Sequence, residues 1–221
     1  MTPLPFSLIV ITDWGLGREV LLRRLEAALA AGPGIAVQHR HPGVSDRLFF
    51  DEAVELAAVC GKANAPLFIN SRLDVALALG AHLHCTSTSL TPREGRRLLP
   101  GRWISCAVHS ADEDVDGADL ALVSPVFQPG SKPTDSRPLL GVDGYARLTS
   151  ALPCPAFALG GIEPGNVADV RAPGVAVISA VLRATAPAAA AKALLAGTQG
   201  PPQDDVRARC PTRGALLRPP E

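Results

Sequence analysis

The sequence predicts an α/β fold, a single-domain (β/α)8 TIM barrel. Three observations predict it. Short apolar runs such as Ala156–Leu159 and Val175–Ile178 recur without alternating with polar residues, the pattern of parallel strands buried on both faces. Segments with apolar residues at helical spacing separate these runs, in eight strand–helix units across residues 7–197. Strict alternation builds a parallel sheet, and eight units close into a barrel more readily than they spread. Third, the last two runs end at the small residues Gly160-Gly161 and Ser179-Ala180. Barrels bind phosphate in the loops after strands seven and eight, where glycines let the backbone approach an anion.

The elements follow in order. Ser7–Thr12 is the first strand, ending at Asp13. Gly17–Ala31 carries Val20, Leu21, Leu25, Ala28 and Leu29 on one helical face, and Gly32-Pro33-Gly34 breaks it. Ile35–Arg40 is the second strand, and Ser45 caps a helix bearing Leu48, Phe49, Ala53, Leu56, Ala57 and Cys60. Strand three is Pro66–Asn70, followed by a short helix from Leu73 to Leu79. Strand four is Ala81–Cys85, and Thr91-Pro92 opens the next helix as cap and first position. Trp103–Val108 is strand five, ending at His109, with a short helix expected after Ser110. Leu120–Val126 is strand six; the loop from Phe127 to Gly141 holds Lys132 and Arg137, and Asp143–Leu152 is a helix. The last two strands are followed by a short helix from Pro164 and an alanine-rich one from Ala186 to Leu195.

Composition narrows the function. The chain is 47% hydrophobic but only 4% aromatic, so its core must be aliphatic and alanine-rich. Its 21 basic and 21 acidic side chains cancel and form no long block, which argues against nucleic acid or a membrane surface as partner. No run of apolar residues is long enough to span a bilayer, and the N-terminus lacks the basic start of a secretion signal. Five cysteines without CxxC spacing suit reduced, mostly buried thiols and a cytoplasmic location. Residues 198–221, proline- and arginine-rich without periodicity, are expected to be a disordered tail.

The polar residues at strand C-termini are the site candidates, because barrel active sites lie at that end. They are Asp13, Gln38, Arg40, Asn70, His84, His109, Lys132, Gly161 and Ser179. Strand parity puts Gln38 and Arg40 on one face and His39 on the other, and pairs Ala107 with His109. An arginine at the interior end of a strand is costly unless it meets an anion.

Several stretches together resemble the thiamine phosphate synthase / TenI superfamily. They are Ile9-Val10-Ile11-Thr12-Asp13, Val37-Gln38-His39-Arg40, Ile69 to Leu77, Val108-His109-Ser110, Ser124 to Phe127 with Ser131-Lys132, Ala158 to Ile162, and Val175 to Ser179. The resemblance implies a barrel that handles a small-molecule thiazole phosphate and usually forms homodimers. It also implies substrate-binding roles for Gln38, Arg40, Asn70, Lys132, Gly160, Gly161, Ile178 and Ser179.

The branch is read from departures. Synthases of this superfamily join thiazole phosphate to a pyrimidine pyrophosphate and hold Mg²⁺ with two aspartates. Those positions fall here on Ser71 and Ser89. An expected lysine is Pro42, and an expected serine is Ala107. Four groups serving one pyrophosphate are missing together. The expectation is therefore a TenI-like thiazole tautomerase without metal or cofactor, with His109 moving the proton and His84 in reserve. Two alternatives stay open: a thiamine phosphate synthase with altered ligands, needing Mg²⁺, and an inactive barrel that only binds thiazole or thiamine phosphate.

Overall fold

The structure, a computed structural model, describes residues 4–128 and 137–200. Eight parallel strands close in sequence order. They are β1 (Leu8–Ile11), β2 (Ile35–His39), β3 (Leu67–Asn70), β4 (His82–Cys85), β5 (Ile104–Val108), β6 (Leu120–Val123), β7 (Ala156–Leu159) and β8 (Gly174–Val177). The ring closes where Leu8, Ile9 and Val10 pair with Val175, Ala176 and Val177.

Parity divides the apolar residues into two cores. Leu8, Val10, Val37, Ile69, Leu83, Ile104, Val108 and Val123 pack outward against the helices. Ile9, Ile11, Ala36, Phe68, Leu120, Leu122, Phe157 and Ala176 fill the barrel, joined by Leu4 and Phe6 from the N-terminal segment. Four of the nine aromatic residues meet here. Phe6 meets Phe68, Phe157 and Trp103 edge-on at 5.7, 5.9 and 5.6 Å, a favourable quadrupole geometry. Gly174 makes room for them, since a Cβ there would lie 2.4 Å from the Phe157 ring.

The outer layer comprises α1 (Arg18–Leu29), α2 (Asp46–Lys62), α3 (Leu73–Leu79), α4 (Pro92–Leu98), α5 (Gly141–Thr149), α6 (Val167–Val170), α7 (Ser179–Leu182) and α8 (Pro187–Gly197). Ser45 caps α2 by accepting from the Leu48 amide, and Thr91 with Glu94 forms a capping box on α4.

Three details differ from the sequence expectation. No helix follows Ser110, so the alternation is interrupted between β5 and β6. Acidic side chains claim the backbone amides there: Glu113 accepts from His109 N at 3.1 Å and Asp114 from Asp116 N at 2.9 Å. Such local bonds compete with helix formation. A one-turn helix, α7, begins at Ser179 immediately after β8. Finally, Thr198 and Gln199 are bonded to the barrel, through Ser7 Oγ at 3.1 Å and Ala172 O at 3.0 Å. The rest of the expected tail, from 201 on, lies outside the described residues. Cys60, Cys85 and Cys106 are buried free thiols and Cys154 is half-buried; Cys210 lies outside the described residues. No helix is long and apolar enough to cross a membrane among the described residues.

Candidate active site

The strand ends surround a cavity of about 200 Å³ at the C-terminal mouth. Its wall includes Gln38, Arg40, Asn70, His84, His109, Gly160, Gly161, Ile178 and Ser179. The structure thus brings together every described residue expected at the site except Asp13. The Asp13 carboxylate instead caps a turn and pairs with Arg183 at 2.8 Å. Lys132 lies outside the described residues.

On β2, Gln38 is 1% exposed, and its Nε2 is the buried side-chain atom left without a hydrogen-bond partner among the described residues. An orphaned buried donor costs roughly 1–3 kcal/mol, so the cavity is built to meet an acceptor there. Two residues on, the Arg40 backbone is latched by Thr12 Oγ1 through bonds of 2.9 and 3.0 Å. No described residue pairs with its guanidinium. His39, between them, packs outward on Phe49, with its Nε2 3.1 Å from the Phe49 carbonyl.

The two candidate histidines differ. His84 is buried, with Nδ1 2.9 Å from Ser105 Oγ. Burial, with Arg40 and His109 adding to it, pushes its pKa down to about 3, so it is a neutral imidazole near pH 7. His109 Nδ1 lies 2.8 Å from the Ser124 carbonyl, an acceptor that favours the N–H on that nitrogen. Arg137 Nη1 sits 3.0 and 3.2 Å from the two ring nitrogens.

Backbone donors supply the third group. The amides of Gly161, Ser179 and Ala180 donate to nothing among the described residues. The glycines have a second reason to be glycine. Gly160 and Gly161 have φ of +97° and +62°, and a Cβ on Gly161 would lie 2.6 Å from Phe127 Cβ and 2.7 Å from Gln128 O. The loop after β6 packs on this pair, with Phe127 N donating to Gly160 O at 3.0 Å. Close ligand approach is therefore not their sole requirement, as the sequence had suggested. Thr86, Ser124, Arg137 and Glu163 also line the cavity. None of them is among the site candidates of the sequence, although Arg137 and Ser124 fall in stretches singled out there, because they lie in loops whose course no local periodicity reports.

The family model described as thiamine monophosphate synthase matches residues 8–183. The chain belongs to the thiamine monophosphate synthase family. Thiamine-phosphate synthase of Chloroflexus aurantiacus is 36% identical over 199 residues, 86% of this chain and 92% of the relative. The thiamine-phosphate synthase of Methanoculleus marisnigri is 37% identical over 198 residues, covering 86% and 93%. Thiamine phosphate pyrophosphorylase from Pyrococcus furiosus superposes with a TM-score of 0.75 at 28% identity, covering 87% of this chain and 95% of its own.

These relatives overturn the tautomerase expectation, because two are named thiamine-phosphate synthase and the third thiamine phosphate pyrophosphorylase, and the match spans 92%, 93% and 95% of their lengths. The expectation took the loss of metal-binding carboxylates as the loss of pyrophosphate chemistry. That step does not follow physically, because the carboxylates bind the cation rather than the anion, and hydroxyl and guanidinium groups can donate to phosphoryl oxygens directly. Mg²⁺ itself does not fit the residues present. The positions where the resemblance puts aspartates carry neutral Ser71 and Ser89, and no group of three or more His, Cys, Asp or Glu placed to hold a metal ion is found among the described residues.

Proposed function

We propose that the protein is a thiamine-phosphate synthase, joining thiazole phosphate to hydroxymethylpyrimidine pyrophosphate. The observation that carries this reading is one cavity with anion-seeking groups at two places on its rim. The amides of Gly161, Ser179 and Ala180 stand on the β7–β8 side, and the Arg40 guanidinium stands at the end of β2. The substrates carry one phosphate and one pyrophosphate, which matches two anion sites.

In the reaction the thiazole nitrogen attacks the pyrimidine methylene with its lone pair. The methylene C–O bond breaks, and its electrons leave with pyrophosphate. No proton has to be taken from the attacking nitrogen. The residues therefore act by holding and neutralising rather than by acid–base relay. The orphaned Gln38 Nε2 suits a ring acceptor atom, and Arg40 suits the charge developing on pyrophosphate. Ile11, Leu122, Leu159 and Ile178 line the cavity with apolar surface. That surface keeps water from the electrophile. The reading includes a homodimer, which light scattering tests.

Incubation of both substrates with purified protein should yield thiamine phosphate, seen by mass, on the order of 1 per second or faster. Absence of product with and without added Mg²⁺ sinks the proposal.

A further inference from the structure

Beside the main cavity lies a second cleft of about 430 Å³, between the ends of β2, β3 and β4. Arg40, Asn70 and Thr86 line both, so the two spaces adjoin. Among the described residues, no carboxylate lines this cleft. Its floor is a chain of neutral polar groups. Asn70 Nδ2 donates to Ser71 Oγ at 3.1 Å, Ser71 Oγ lies 3.0 Å from Thr86 Oγ1, and Thr86 Oγ1 lies 3.4 Å from Thr88 Oγ1. The nearby Arg72 is already paired with Asp46 and Asp74, whereas the Arg40 guanidinium has no partner among the described residues.

This donor set has the wrong sign for a divalent cation. Mg²⁺ is ordinarily held by one or two carboxylates together with substrate phosphates. Here a cation would meet neutral oxygens beside an arginine. Hydroxyl O–H groups beside a guanidinium have the right sign for an anion, since both donate to phosphoryl oxygens. We propose that the pyrophosphate group binds in this cleft without a divalent cation, held by Ser71, Thr86 and Thr88 hydroxyls together with Arg40. This deepens the synthase reading and rests on it for the identity of the leaving group. The exchange of carboxylate for hydroxyl then changes how charge is neutralised and leaves the anion bound.

The backbone makes a clean test available. Ser71 is in the left-handed region, with φ of +61°. Aspartate takes that conformation more readily than most residues, so Ser71→Asp should fold. Titration calorimetry with inorganic pyrophosphate on the full chain should show binding in EDTA, and added Mg²⁺, which complexes the free anion, should not tighten it. Thr86→Val should weaken it by about tenfold, with an unchanged thermal midpoint. Ser71→Asp should weaken binding in EDTA by tenfold or more and make Mg²⁺ restore part of it. Pyrophosphate binding by the wild-type chain only when Mg²⁺ is present would overturn the inference. So would binding that neither variant affects, since the anion would then sit elsewhere. A turnover assay separates the two levels. Synthesis abolished by EDTA defeats the metal-free inference and leaves the synthase standing. Pyrophosphate binding in EDTA without synthesis under any condition defeats the synthase and leaves the anion site standing.

Discussion

Acidification should unfold this protein earlier than its carboxylates alone would dictate, because three histidines are held neutral inside it. His39 is fully buried and accepts at Nδ1 from Trp14 Nε1 at 3.3 Å, while Nε2–H faces the Phe49 carbonyl at 3.1 Å. His82 Nδ1 accepts from the Trp103 amide at 3.0 Å. A proton on either Nδ1 would set donor against donor. Burial, the main cause in each case, lowers the pKa of His39 and His82 to about 4 and of His84 to about 3. In the unfolded chain each titrates near 6.5. Above that pH both states are neutral and the histidines cost nothing. As pH falls below it, the unfolded chain takes up protons that the folded chain refuses, so stability falls. One proton is worth about 1.4 kcal/mol per pH unit. Three give a slope near 4 kcal/mol per unit once the unfolded histidines are fully charged, down to about pH 4. The loss reaches about 6 kcal/mol by pH 5 and about 10 by pH 4, so a domain in the lower half of the usual range of roughly 5–15 kcal/mol should open near pH 4–5. Asp119, whose carboxyl burial raises, takes up its proton earlier in the folded chain than in the unfolded one and so opposes the trend as the pH falls. Urea unfolding between pH 7.5 and 4.5, followed by tryptophan fluorescence, measures the slope. His82→Gln should make it shallower by about one proton. A flat profile from pH 6.5 to 5 would show that water reaches these rings and that the argument is wrong.

Two further changes test the site. Gln38→Met removes the orphaned donor, so it should raise stability by about 1 kcal/mol while lowering kcat/KM by tenfold or more. A less stable variant with normal turnover would mean that Nε2 has no ligand to meet. Gly161→Ala should cost about 1–3 kcal/mol through its left-handed backbone and its contact with the loop after β6. An unchanged thermal midpoint would show that this loop yields easily.

Much of the architecture was legible because the information is local. Apolar runs without alternation marked β7 and β8, and the period of two placed Gln38 and Arg40 on the cavity side with His39 outside. Thr91-Pro92 and Ser45 marked helix starts through bonds made within three residues. The absent helix after Ser110 escaped this reading because side chain-to-backbone bonds, rather than apolar spacing, shaped residues 109–116. The order of strand pairing, which closes β1 on β8, settled the rest. It sets Phe127 and Gln128 against Gly161, leaves Gln38 Nε2 without a partner, and threads Ser71, Thr86 and Thr88 into one polar chain across two loops. Residue types at Ser71 and Ser89 showed that carboxylates were gone. Only their neighbours in space show what replaced them, because the sign of a binding site is a property of all the groups that face it.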